Sequence, residues 1–320
     1  MTLSARSFAF LVSALGVVAI SSLAGAAAAT KAATGTAVAA TTTAASTPAP
    51  VPTSTPASIP TTPFRRLYVF GDSYSDFGAG YVDCDGPTAV AYLAWHMGLV
   101  FTHAKAPNAA EKSLDFAVSG AQTGAGEGRR AKQALLAYGM MNQVRDFAAR
   151  VQAGEIRFEP ETTLFFIAGG LNDRMLTTEA TLGNIRQEIE LLRGLGGKHF
   201  TVALLPTRVS TYTAVAQRLN PAFTQLAAEL KGQSGLDLWI NHWGPGFDEV
   251  MDHAASYGLT NTTDTCAGRD ISDQDPTPVG DPSTYYFYHH GHPSTAVHRI
   301  VGKKLYEEIA ARSLGATEKR

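Results

Sequence analysis

The feature that most constrains this chain is a set of short, unbroken apolar runs separated by stretches with helical spacing. Leu67-Tyr68-Val69-Phe70 stops at Gly71, residues 163–168 stop at Gly169-Gly170, and residues 199–205 stop at Pro206, with a further run at 236–240. A strand with one wet face alternates apolar and polar residues. These runs do not, so both faces of their sheet must be covered. Helical spacing is expected over 89–97, closed by Gly98, and over 131–151, interrupted near Gly139. It continues over 178–195, with Ile185, Ile189 and Leu192 on one face. Asn220-Pro221 reads as a cap and first position of the next helix. Further helices are expected at 247–257, closed by Gly258, and at 294–313, with Val297, Ile300, Val301, Leu305 and Ile309 buried. Alternating strands and helices of this kind predict an α/β fold, a parallel sheet between two helical layers.

The N-terminus follows a different logic. Arg6 precedes an apolar stretch, 8–20, that is short for a bilayer span, and Ala24-Gly25-Ala26 fits a small-residue cleavage site. Residues 1–26 therefore read as an export signal, with an N-terminal membrane anchor as the alternative. Residues 27–63 are almost entirely Ala, Thr, Pro, Ser and Val, without a period or enough apolar bulk for a core, and read as a disordered linker. The folded domain is expected over 64–315, in a secreted or periplasmic, monomeric protein with no membrane span after cleavage. A formal net charge of −2 gives no reason to expect nucleic acid or an anionic membrane as partner. Two cysteines, Cys84 and Cys266, usually pair in an exported chain. A disulfide is the expectation, stabilising by about 4 kcal/mol in the loop-entropy picture; two buried thiols are the alternative.

In a parallel α/β sheet, reactive groups collect at the carboxyl ends of the strands. Ser73 follows the first strand directly, on a turn opened by Gly71. A serine hydroxyl is a weak nucleophile without a base, and His292, fixed by Pro293 and the last helix, is the candidate. The turn is not a G-x-S-x-G elbow, because position 75 is serine. Acyl transfer also needs donors for a developing oxyanion. Gly120 offers an unshielded backbone N–H and Asn172 a side-chain amide. Taken singly, each residue reads as readily as a helix cap or turn former.

Together, the segments Gly71-Asp72-Ser73-Tyr74-Ser75, Ala117-Val118-Ser119-Gly120-Ala121, Gly169-Gly170-Leu171-Asn172-Asp173 and His289-His290-Gly291-His292-Pro293-Ser294 resemble the SGNH (GDSL-type) hydrolase superfamily. The stretch 247–266, and His298 six residues after His292, are similar to secreted bacterial esterases and lysophospholipases of that group. The resemblance covers about 64–313. It implies a three-layer α/β/α sandwich, Ser73 as nucleophile and His292 as base, and an oxyanion hole from Ser73, Gly120 and Asn172. It also implies no metal or organic cofactor. The expected partner is a small-molecule, lipid or glycan ester.

One position departs from that pattern. An aspartate usually stands three residues before the histidine, where this chain has His289. Three explanations follow: another side chain orients His292, either a carboxylate, Asp281 or Asp275, or the His289 imidazole, which can accept a hydrogen bond but brings no negative charge; a backbone carbonyl does, leaving a Ser-His dyad; or turnover is impaired. A non-catalytic acyl- or glycan-binding protein is therefore one competing reading, and an acyltransferase using the same acyl-enzyme is another. The histidines at 289, 290, 292 and 298 invite a metal reading, but the spacing of His292 and His298 does not put two ligands on one helical face. Tyr74 and Tyr288 adjoin the block segments and are expected near the site.

Overall fold

The computed structural model describes residues 61–317, apart from 232 and 234. The expected signal, 1–26, and nearly all of the expected linker lie outside the described residues. Six strands form one parallel sheet: β1 (Arg66–Gly71), β2 (Phe101–His103), β3 (Ser113–Asp115), β6 (Thr163–Ala168), β7 (His199–Ala203) and β8 (Asp237–Asn241). Their spatial order is β2-β3-β1-β6-β7-β8. Every pairing in this sheet is parallel. An antiparallel hairpin joins β4 (Glu127–Ala131) to β5 (Ala134–Tyr138). A small sheet contains β9 (Asn261–Thr265), β10 (Tyr285–His289) and β11 (His292–Pro293).

Two groups of helices cover the large sheet. In one, α1 (Ala89–His96) and α5 (Trp243–Asp252) pack on α6 (Thr295–Thr317). In the other, α3 (Thr178–Gly194) lies between α2 (Met140–Gln152) and α4 (Thr213–Lys231). The result is a three-layer α/β/α sandwich. Burial follows from the apolar runs: all six residues of β6, and Leu67 through Gly71 of β1, are buried. The aromatic rings of Tyr68, Phe70, Phe147 and Phe165 pack edge-on or tilted within the core. Among the described residues no helix is long and apolar enough to cross a membrane.

Three expectations need correction. The predicted helix at 131–151 begins only at Met140. Its first half forms the β4–β5 hairpin, with Lys132 and Ala137 in left-handed conformations. Gly139 marks the junction, because a Cβ there would meet the Gly124 carbonyl at 2.0 Å. Asn220-Pro221 does not open a helix. It lies inside α4, which starts at Thr213. The Asn220 amide instead accepts from Leu205 N–H and donates to Leu205 C=O, at 2.8 and 2.9 Å. Third, Cys84 and Cys266 are not bonded. Each thiol faces a different carbonyl, Cys84 that of Gly86 and Cys266 that of Gly280. Burial pushes the Cys84 thiol up to about 12, which keeps it protonated and unreactive.

Candidate active site

The sheet order decides where the chemistry gathers. The chain leaves β1 for β2 and β3 on one side, then crosses to β6 on the other. That reversal leaves a crevice at the carboxyl end of β1. The loops after β1, β3 and β6 carry Ser73, Gly120 and Asn172 respectively, so strand order alone brings them together. The turn after β1 is held closely. Ser75 and Asp76 N–H donate to Asp72 C=O at 3.0 and 2.9 Å. Tyr74 N–H donates to the Asp72 carboxyl at 3.2 Å. Gln143 of α2 clamps Gly71 by both backbone groups, at 3.0 and 2.9 Å. A Cβ at Gly71 would lie 2.7 Å from the Ala168 carbonyl, so only glycine lets β1 and β6 end this close.

His292 arrives from the small sheet, just before α6. Its Nε2 lies 2.8 Å from Ser73 Oγ. Its Nδ1 lies 2.9 Å from the His290 carbonyl. A carbonyl only accepts, so Nδ1 carries the proton and Nε2 presents its lone pair to the Ser73 hydroxyl. The imidazole is almost wholly buried, which pushes its pKa below the ordinary 6.5; the Asp83 carboxylate opposes that shift, and Arg269 adds to it. Tyr74 packs beside the ring, centroids 5.8 Å apart, and its hydroxyl donates to Gly291 C=O at 2.7 Å. Tyr288, also expected near the site, packs on His289 instead.

On the loop after β3, Gly120 sits in a left-handed turn at φ 78°. Among the described residues, neither Ser73 N–H nor Gly120 N–H has a protein acceptor. Asn172 gives one amide hydrogen to Ala121 C=O at 2.9 Å, which fixes the amide and leaves its second hydrogen. A cleft of about 840 Å³ adjoins Gly120 and Asn172, walled by Gln122, Asn184, Arg174, Met175 and Leu176.

The residues suggested for orienting His292 are not behind it. Asp281 caps its own turn, accepting from Ser283 N–H and Oγ at 3.0 and 2.8 Å. Asp275 accepts from Thr277 N–H at 2.9 Å. Both are exposed, because each carboxylate is satisfied within two residues of itself. His289 is buried, but its ring stacks on Tyr81 and faces Asp83. The backbone carbonyl is thus the group in contact with Nδ1.

Sequence reasoning passed over Asp83. Its side chain is 1% exposed, and Oδ2 lies 3.8 Å from His292 Nε2. Ser119 Oγ donates to it at 2.5 Å, and Arg269 pairs with it through Nε at 2.7 Å and a terminal nitrogen at 3.1 Å. Burial alone would raise the carboxyl; His292, His289, Arg269 and Ser119 outweigh burial and hold it down to about 2. Nothing local in the sequence separates Asp83 from Asp85, which accepts from Thr295 N–H at 2.7 Å.

Residues 67–305 match the family model of GDSL-like lipases and acylhydrolases. The chain belongs to that family. It is a carboxylic ester hydrolase of the GDSL type, and the match spans all four segments that carry Ser73, Gly120, Asn172 and His292. No curated protein matches it in sequence. Its fold is similar to a carbohydrate esterase family 3 protein from Talaromyces cellulolyticus, 12% identical, covering 79% of this chain and 99% of that one, TM-score 0.45. It is also similar to Axe2, an acetylxylan esterase from Geobacillus stearothermophilus (16%, 78% and 95%, 0.40), and to a lipolytic G-D-S-L protein from Veillonella parvula (14%, 75% and 95%, 0.40). Likeness at this level does not extend to substrate.

Proposed function

We propose that this GDSL-type hydrolase is an exported serine esterase that works through an acyl-enzyme on Ser73. The observation that carries the reading is the 2.8 Å contact between Ser73 Oγ and the unprotonated Nε2 of His292. As the Oγ–C bond forms, the Ser73 proton passes to Nε2 and the carbonyl π pair moves onto oxygen. The N–H groups of Ser73 and Gly120 and the second amide hydrogen of Asn172 stabilise that oxyanion. On collapse, the bond to the alcohol oxygen breaks and Nε2 returns its proton to the leaving alkoxide. Water then repeats the sequence against the acyl-enzyme. A neutral base correctly aligned on the nucleophile has no use in a protein that only binds, which favours turnover over the binding-protein reading.

Export is supported by Arg6, the apolar stretch 8–20 and the cleavage-like Ala24-Gly25-Ala26. N-terminal sequencing of the mature protein checks it; a first residue of Ala27 is expected. The catalytic reading is tested with a fluorophosphonate probe and peptide mapping. An adduct on Ser73, absent in Ser73→Ala and His292→Ala, is the expected result. With p-nitrophenyl acetate, Ser73→Ala loses at least about ten-thousand-fold in turnover. Equal rates in wild type and Ser73→Ala refute the proposal.

A further inference from the structure

In the acyl-transfer step, the imidazole of His292 becomes an imidazolium inside a buried pocket. Burial penalises that charge, and a carbonyl behind Nδ1 supplies a dipole but no countercharge. The groups facing the ring are few. Tyr74 and Tyr212 present ring edges and faces at 5.8 and 6.5 Å. His298 of α6 accepts Ala89 N–H on its Nδ1, and burial keeps it neutral down to about 3. His289 of β10 and Arg269 of the loop before it carry no negative charge. Among the described residues, Asp83 is the one carboxylate against the ring, and it approaches from the Nε2 side at 3.8 Å.

We propose that Asp83 is the positioning residue that supplies the missing countercharge, stabilising the His292 imidazolium from the nucleophile's side rather than from behind Nδ1. The inference rests on the serine-esterase reading above. Three features suit Asp83 to the role. The carboxylate is closed to solvent, so water does not screen it. Ser119 Oγ and a terminal nitrogen of Arg269 hydrogen-bond Oδ2, and Arg269 Nε pairs with Oδ1 as an ion pair, so the carboxylate is already oriented as charge develops on the ring. The proton taken from Ser73 sits on Nε2, the ring nitrogen 3.8 Å from the carboxylate. Arg269 also sets a limit: its guanidinium, stacked over Tyr81 with Cζ 5.4 Å from the ring centroid, holds the carboxylate in place while cancelling part of its field at His292.

The two partners therefore act on His292 with opposite signs, and that is the test. In Asp83→Asn, the His292 titration moves to lower pH and kcat falls on the order of tenfold to a hundredfold with KM nearly unchanged. In Arg269→Gln, the titration moves to higher pH. Both are read from the acid limb of kcat/KM and, independently of turnover, from the His292 imidazole resonance, assigned by its loss in His292→Gln. A structural defect in the loop does not shift one residue in two directions. If Asp83→Asn fails to fold, Arg269→Gln alone decides: an unmoved or lowered His292 titration overturns the proposal. Shifts of the same sign in both variants, or none, also overturn it. If wild type neither turns over esters nor labels at Ser73, the esterase reading fails, while the resonance shifts still report on Asp83.

Discussion

His292 lies below the ordinary histidine range because its ring is buried, and the direction fixes a pH dependence. The base must be neutral, so kcat/KM falls toward acid with its midpoint below pH 6.5, as a pH–rate profile on p-nitrophenyl acetate will display. A second expectation follows from the carbonyl behind Nδ1. Asp281→Asn and Asp275→Asn keep turnover within about twofold of wild type, since a surface carboxylate satisfied by its own turn contributes little at a distance. Ser73, Gly120, Asn172 and His292 were legible because their residue types and surroundings recur together. Asp83 and Arg269 were not, because no local motif marks either residue and only folding makes the pair.

At the scale of elements, tertiary pairing overrode local preference. The sequence Ala134-Leu135-Leu136-Ala137 favours helix, yet these residues form β5, since its partner β4 and the bond from Ala137 N–H to Ser119 C=O fix the hairpin beside the site. The left-handed turns at Lys132 and Ala137 are made without glycine, so no turn signal announced them. Gly139, at the seam with α2, has room for nothing larger: its Cβ would also sit 2.3 Å from Gly126 N. Gly139→Ala will lower stability by about 2–4 kcal/mol in urea or thermal unfolding, with the backbone of 124–126 forced to move. Helix α4 shows the same lesson differently, since Asn220 satisfies a loop backbone rather than a helix end.

Across the whole molecule, the alternation of strands and helices foretold the layers, but not the order of strands, which is set by long-range pairing. Several buried acids, Asp72, Asp76, Asp115 and Glu188, are pushed up by burial and contribute a pH effect on stability. Glu188 of α3 is fully enclosed, and among the described residues neither of its oxygens has a hydrogen-bond partner. Burial, with Asp173 nearby, pushes its carboxyl well above the usual range, so it is protonated in the fold. A raised acid costs nothing below its unfolded value and increasingly destabilises as pH climbs from there toward its folded value. The difference in melting temperature between Glu188→Gln and wild type will therefore widen in favour of the variant as pH rises above about 5. Finally, the proposed nucleophile and base, Ser73 and His292, stand 219 residues apart, one just after the first strand and the other just before the last helix. A nascent chain still missing its final hundred residues, or a mature one clipped ahead of position 292, has a hydroxyl with nothing to deprotonate it. On the proposed mechanism, ester cleavage thus reports that the chain has been made past position 292 and has folded.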